Sequence, residues 1–352
     1  MLQILIQKHF IEVANSLHTH SHRDHIVSLQ TFEDAFNKLE PRERPSILLA
    51  NGFSQAWNQN IFNYQNLLQK ANFGNRDILI KEIFDNFETY DFEKIMRALE
   101  AAESVCVSYG FDQTKIDEIR ADQEILKNSL VDVISQTHPP RSSGVTTQQY
   151  EIARLFIERF QNVFTLNYDL LLYWIVNKND VDRKGYFTDD GFRGTTWKNE
   201  LSQDVYFLHG GLHIYDNGSS IHKHTFKKYD DTSIVEQVRK NLSQGKFPLF
   251  VSEPTHEKKL ARIKHNPYLN YCFGALENLR KSLFIHGHSM SDNDAHIFDQ
   301  ITKSNVSKVF ISIFGDENSK QNKETIANAT RFIKTKNISI EFYDASTAPI
   351  WL

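Results

Sequence analysis

Apolar runs too short to be ordinary helices recur along this chain, and four of them stop at the same kind of residue. Ile47-Leu48-Leu49-Ala50 gives way to Asn51-Gly52-Phe53-Ser54, and Val163-Phe164-Thr165-Leu166 to Asn167-Tyr168-Asp169. Val205-Tyr206-Phe207-Leu208 stops at His209-Gly210-Gly211, and Ser282-Leu283-Phe284-Ile285 at His286-Gly287-His288-Ser289. Further runs lie at Pro248 to Ser252, Val309 to Phe314 and Ile338 to Tyr343, the last two separated by a helix-compatible stretch near Glu324 to Lys334. Short apolar strands alternating with helices predict an α/β fold whose parallel sheet is covered on both faces. Ligands of such a sheet sit beyond the carboxyl ends of its strands, where these small and polar residues fall. Each motif alone is weak, since Asn-Gly is commonly a turn and a lone histidine commonly a satisfied core residue. Four at equivalent positions of one sheet make a site.

Two other regions read as helical. Residues 1–45 form a preface ending in Pro41-Arg42-Glu43-Arg44-Pro45, a linker-like stretch. From about 60 to 161 the spacing of Phe92, Ile95, Met96 and Leu99 is helical, as is that of Ile119, Leu126, Leu130, Val133 and Ile134. Pro139-Pro140 stops that helix, and Tyr150, Ala153, Ile157 and Phe160 mark another. These stripes read as core, and the block as a helical insertion into the domain spanning 46–352.

Composition narrows the function classes. A chain of 352 residues that is 40% hydrophobic and 12% aromatic has the material for a large core, unlike disordered sequences. A formal net charge of −4 without a long basic stretch gives no footprint for nucleic acid. Basic patches such as Lys223 to Lys228 read as solvated faces. The only two cysteines, Cys106 and Cys272, form no Cys-x-x-Cys pair, so neither a disulfide framework nor a cysteine zinc site is expected. The apolar run at the N-terminus is too short for a signal peptide, and no stretch reaches the roughly 20 residues of a membrane helix. A cytoplasmic protein is the expectation.

The strand-end groups suit a dinucleotide. Gly52 would let backbone amides approach a pyrophosphate at a helix N-terminus. Asn167, Asp169 and His209 offer an amide, a carboxylate and an imidazole, which fit a ribose and a carboxamide ring better than a metal. In this order the motifs resemble those of sirtuins, which carry a Gly-Ala-Gly-Ile-Ser turn, a Thr-Gln-Asn-Ile-Asp segment, a His-Gly pair and a Gly-Thr-Ser segment. The run Gly287-His288-Ser289-Met290-Ser291-Asp292 is similar to sirtuin-like proteins of bacteria, including effectors of phage defence. Leu49 to Ser54 and Asp91 to Leu99 resemble a bacterial branch of the same superfamily. The resemblance covers roughly residues 46–315.

It implies a sirtuin-like, Rossmann-like sheet with NAD as substrate. Gly52 and Ser54 would bind phosphates, with Phe53 between them in the cofactor turn. Gly287 and Ser289 would contact the adenosine side, and Asp292 would close that segment. Asn167 would sit against the nicotinamide ribose, Asp169 would hold the carboxamide, and His209 would act as general base. Ala50 and Asn51 replace the first Gly-Ala of the turn. The four cysteines of the zinc ribbon that follows the His-Gly pair in deacylating sirtuins are missing from residues 210–270. That argues against protein deacylation and leaves water as acceptor, giving nicotinamide and ADP-ribose without zinc. An enzyme that destroys NAD is toxic if always active, so a homo-oligomer or an activating protein partner is expected.

Two other readings compete. The same fold could bind NAD or ADP-ribose as a sensor without chemistry. His18-Thr19-His20-Ser21-His22-Arg23-Asp24-His25 contains His20-x-His22-x-Asp24-His25, which resembles the metal signature of metallo-β-lactamase-fold hydrolases. Only nineteen residues precede the motif at His20, too few for the strands that lead into it in that fold. As a helix, it would place His18, His22 and His25 on one polar face.

Overall fold

The computed structural model describes residues 29–59, 68–87, 92–137, 141–178, 188–199, 203–225, 248–251, 255–333 and 337–352, with isolated positions between 226 and 254. The histidine cluster at 18–25 and most of the expected N-terminal extension lie outside the described residues.

The predicted apolar runs are strands. β1 (Ser46–Leu49), β2 (Val163–Thr165), β5 (Val205–Phe207), β9 (Arg280–His286), β10 (Asn305–Ile313) and β11 (Ser339–Asp344) form one sheet in the order β11-β10-β9-β1-β2-β5. All its pairings are parallel. Numbered within the sheet alone, this is the order 3-2-1-4-5-6 of dinucleotide-binding Rossmann sheets. β1, β2 and β5 are buried at every residue, as strands covered on both faces must be. The order reverses between β1 and β9, and the crevice at such a reversal is where these sheets bind ligands.

Register fixes what stands beside what. Leu49 lies opposite Thr165 on one side and His286 on the other, and Thr165 lies opposite Phe207. The carboxyl ends of β2, β1 and β9 are therefore level. The turns that follow them, at Asn167, Asn51 and Gly287, form a row along one rim, and His209 closes it beyond β5.

Helix α1 (Phe32–Asn37) precedes β1 in the chain, and α2 (Asn51–Trp57), α3 (Asp77–Asn86), α4 (Phe92–Ser108), α5 (Gln113–Thr137) and α6 (Thr147–Ile157) lie between β1 and β2. α1 belongs to the sheet's own core. Its Phe32 is fully buried, with its ring centroid 5.3 to 5.7 Å from those of Phe36, Phe156, Phe284 and Tyr343. Among the described residues no strand lies between β1 and β2. The helical block expected there divides in two. Phe73, Ile80, Phe84, Phe92, Leu99 and Leu126 pack with one another in a second hydrophobic cluster. α6, by contrast, puts Tyr150, Ala153, Phe156 and Ile157 into the main core. Its start is set by a capping box in which Thr146 and Gln149 satisfy each other's backbone N–H groups.

One feature departs from the expected all-parallel reading. Residues Phe192–Arg193 (β3), Thr196–Trp197 (β4), Gly210–Asp216 (β6), Ile221–Lys223 (β7) and Pro248–Phe250 (β8) form a separate antiparallel sheet in the order β3-β4-β7-β6-β8. The run at 248 thus pairs with β6 and not with the parallel sheet. The chain leaves β5 through Leu208 and His209 and turns into β6 at Gly210, whose φ of 78° is a left-handed value that glycine adopts without strain. Helices α7 (Leu171–Asn177), α8 (His256–His265), α9 (Pro267–Gly274), α10 (Ala295–Thr302) and α11 (Lys320–Ile333) complete the architecture. No helix among the described residues is long and apolar enough to cross a membrane.

Candidate functional site

A cleft of about 930 Å³ opens along the rim where the strand order reverses. Asn51 and Gly52, Asn167 and Asp169, His209, and Gly287 to Ser289 all line it. Four turns separated by up to 238 positions in the chain are thus brought to one cavity, since Asn51 and Ser289 bound the set.

The glycine pair forms the floor at the reversal. The Gly52 N–H donates to the Gly287 carbonyl at 3.0 Å. A Cβ at position 52 would lie 2.5 Å from the Gly287 Cα, and one at 287 would lie 2.6 Å from the Gly52 Cα. Gly287 also has φ 74°. These glycines are required by the approach of two backbones. The amide of Gly52 is already bonded, so the phosphate contact read for it from sequence is not made through that N–H.

Asn167, Ser54 and Asp169 are one hydrogen-bonded unit. Asn167 Nδ2 donates to the Ala50 carbonyl at 3.1 Å and to Ser54 Oγ at 2.8 Å. Ser54 Oγ donates in turn to Asp169 Oδ2, and Leu171 N–H donates to Asp169 Oδ1 at 2.9 Å. Ser54 is fully buried. Its hydroxyl organises the two strand-end residues, so the phosphate role expected for it does not match its bonds. Among the described residues no group donates to Asn167 Oδ1, which leaves the amide oxygen for a ligand. Burial raises the Asp169 carboxyl to about 6, against the lowering effect of the Ser54 and Leu171 hydrogen bonds.

His209 is 3% exposed, and its Nε2 has no hydrogen-bond partner among the described residues. Burial holds it well below the ordinary imidazole value, reinforced by Lys259, His296 and His288 and opposed by Asp294. It is therefore neutral, with a lone pair available. Such an orphaned buried nitrogen calls for a functional explanation.

Sequence reasoning missed the groups around it. Lys259 on α8 donates to Asp294 Oδ1 at 3.0 Å, and that oxygen lies 3.8 Å from His209 Nε2. His288 Nδ1 accepts from the Met290 N–H at 2.7 Å, so the ring proton sits on Nε2, which donates to Asp294 Oδ2 at 3.2 Å. Burial pushes the Asp294 carboxyl up, yet Lys259, His288 and His209 together hold it well below the usual carboxylate range. His209, Asp294 and His296 offer three ligand atoms within 4.8 Å of one another. The Lys259 ammonium already neutralises the one carboxylate of that trio, so a divalent cation would enter beside a positive charge.

Two residues expected at the site stand elsewhere. Asp292 is exposed and pairs with Arg331. The 3-10 turn Asp292–Asp294 aims the first carboxylate outward and the third inward, which no spacing rule separates. Phe53 is buried against Trp351, and its carbonyl accepts from Trp351 Nε1 at 2.9 Å. Ser289 lines the cleft as expected, and its carbonyl accepts from Thr325 Oγ1 at 3.2 Å. The segment from Ala345 to Leu352 also lines the cleft, with no motif to announce it.

A Rossmann-like parallel sheet with a cleft at its topological reversal defines the class of this protein. Residues 47–351 match the family described as Domain of unknown function (DUF4917), and the chain belongs to that family. A search of curated proteins finds no match.

Proposed function

We propose that this protein binds NAD across the reversal between β1 and β9 and hydrolyses it to nicotinamide and ADP-ribose, as a zinc-independent, sirtuin-like NAD glycohydrolase. The observation that carries this reading is the neutral, unpartnered Nε2 of His209 in the same cleft as Asn167 and Asp169. A general base needs a free lone pair near the reacting atoms. The cleft volume of about 930 Å³ lies in the range of cofactor-sized pockets.

In this reading His209 takes a proton from the attacking water. Asn167 Oδ1 meets a ribose hydroxyl, and Asp169 faces the carboxamide. The glycosidic bond to a pyridinium is already activated, because nicotinamide leaves as a neutral base. The chain's task is to orient the sugar and accept one proton. Ser289 and Gln321, in the first turn of α11, face the same cleft, where the N-terminal end of a helix favours a pyrophosphate. Control by a homo-oligomer or an activating partner, as for a defence effector, belongs to the same proposal. Chromatography of nicotinamide released from NAD tests it. Wild-type protein should release nicotinamide and His209→Ala should not. Wild-type release that His209→Ala matches would remove the assigned base. NAD binding without turnover in any assembly state would favour the sensor reading.

A further inference from the structure

Lys259 is the most deeply buried charge at the cleft, with only 1% of its side chain exposed, and Asp294 is 15% exposed. Burying an ammonium is expensive unless it is paired, and a pair used only for stability is readily replaced by apolar residues. This pair stands against His209, whose Nε2 has no hydrogen-bond partner among the described residues and lies 3.8 Å from Asp294 Oδ1. The groups that face His209 come from four elements. Lys259 comes from α8, Asp294 from the turn before α10, His296 from α10, and His288 from the loop after β9. The Tyr168 ring lies parallel to the imidazole at 6.3 Å and contributes no charge. His288 accepts from the Met290 N–H at Nδ1 and faces Asp294 through Nε2, so Lys259 and Asp294 are the permanent charges of the set.

We propose that Lys259 and Asp294 are positioning residues that set the proton affinity of His209 from opposite sides. Lys259 adds to the burial that keeps the resting imidazole neutral, and Asp294 stabilises the imidazolium once Nε2 has taken its proton. The inference rests on reading His209 as the base. In that step an O–H bond of water breaks and an N–H bond forms on Nε2. The oxygen's electron pair forms the new C–O bond at the anomeric carbon. The pair of the broken C–N bond leaves with the nicotinamide nitrogen, and the proton on His209 passes to solvent. Asp294 Oδ1, 3.8 Å from Nε2, is too far for a resting hydrogen bond and close enough to favour the cation that forms. Lys259 holds that oxygen in place and prevents Asp294 from taking the proton itself.

The test is titration of the His209 ring by NMR without any ligand, its resonance assigned by its loss in His209→Ala. Lys259→Met should raise the midpoint by about one to three units, the scale of one nearby charge. Lys259→Arg, which keeps the charge, should titrate as wild type does. Asp294→Asn should leave the ring neutral throughout the accessible range. In turnover it should lower kcat about tenfold or more with KM held. Lys259→Gln serves if the methionine variant does not fold. An unmoved midpoint on loss of the Lys259 charge overturns the inference, as does an upward shift in Asp294→Asn. If no variant or wild type cleaves NAD, the titration still decides this inference while the hydrolase reading falls. If turnover is present and the titration does not move, the hydrolase reading stands without it.

Discussion

Replacing either glycine at the sheet reversal by alanine tests the packing on which the whole cleft depends. The Cβ of Gly52→Ala would meet the Gly287 Cα at 2.5 Å, its carbonyl oxygen at 3.2 Å and its carbonyl carbon at 3.3 Å. All three are backbone atoms, so no side chain can rotate away. Overpacking of this kind is worth about 1–3 kcal/mol. Lengthening the Gly52 N–H bond to the Gly287 carbonyl adds about 1 kcal/mol. Gly287→Ala meets Gly52 Cα at 2.6 Å and two amide nitrogens at 2.7 Å, and it also places a Cβ at φ 74°. The left-handed conformation contributes about 1–2 kcal/mol more. Gly194→Ala is the control, since it has φ 61° and nothing within 4 Å of its Cβ. Urea unfolding followed by circular dichroism should rank the losses as Gly287→Ala greatest, Gly52→Ala next and Gly194→Ala least. Both cleft variants should remain folded, because domain stabilities are about 5–15 kcal/mol. Should Gly52→Ala and Gly287→Ala be no less stable than Gly194→Ala, the close crossing of the two backbones is wrong.

Asp169→Asn should change how stability depends on pH. Burial raises the folded carboxyl to about 6 from the ordinary aspartate value of 3.8, so between those values the native state binds more protons than the unfolded one. This contribution is full below pH 4 and is lost as pH rises through 6, by about 3 kcal/mol. Urea midpoints at several pH values should therefore show the variant gaining on wild type across that window, and parallel profiles would refute the burial argument. Ser54→Ala removes the donor to Asp169 and the acceptor of Asn167, a loss of about 1–3 kcal/mol. It should also move the Asp169 midpoint upward, measurable by carboxyl NMR, whereas a downward movement would contradict the assigned hydrogen-bond direction.

Much of this architecture was legible in the sequence for a simple reason. The central strands are buried on both faces, so they appear as unbroken apolar runs, and the polar residues that stop them mark the rim of the cleft. Asn167, Asp169, His209 and Gly287 were found in this way. The small antiparallel sheet was not, because β3 and β4 are two residues each and owe their pairing to turns such as that at Gly194. Lys259 lies in the helix His-Glu-Lys-Lys-Leu-Ala-Arg-Ile-Lys-His, where one buried lysine among several exposed basic residues has no local signature. Asp294 carries no signal that sets it apart from Asp292, two positions away, because a single turn of 3-10 helix decides which carboxylate faces inward. Ser54 was read as a ligand contact, whereas its bond partners Asn167 and Asp169 come from more than a hundred positions away.

The central claim is tested most directly by mixing stoichiometric NAD with purified protein, and with the His209→Ala variant, and measuring binding by calorimetry and free nicotinamide in the same samples. The account predicts saturable NAD binding by both proteins within a few fold, with nicotinamide released by wild type alone. Absence of saturable NAD binding by the folded wild-type protein would contradict it.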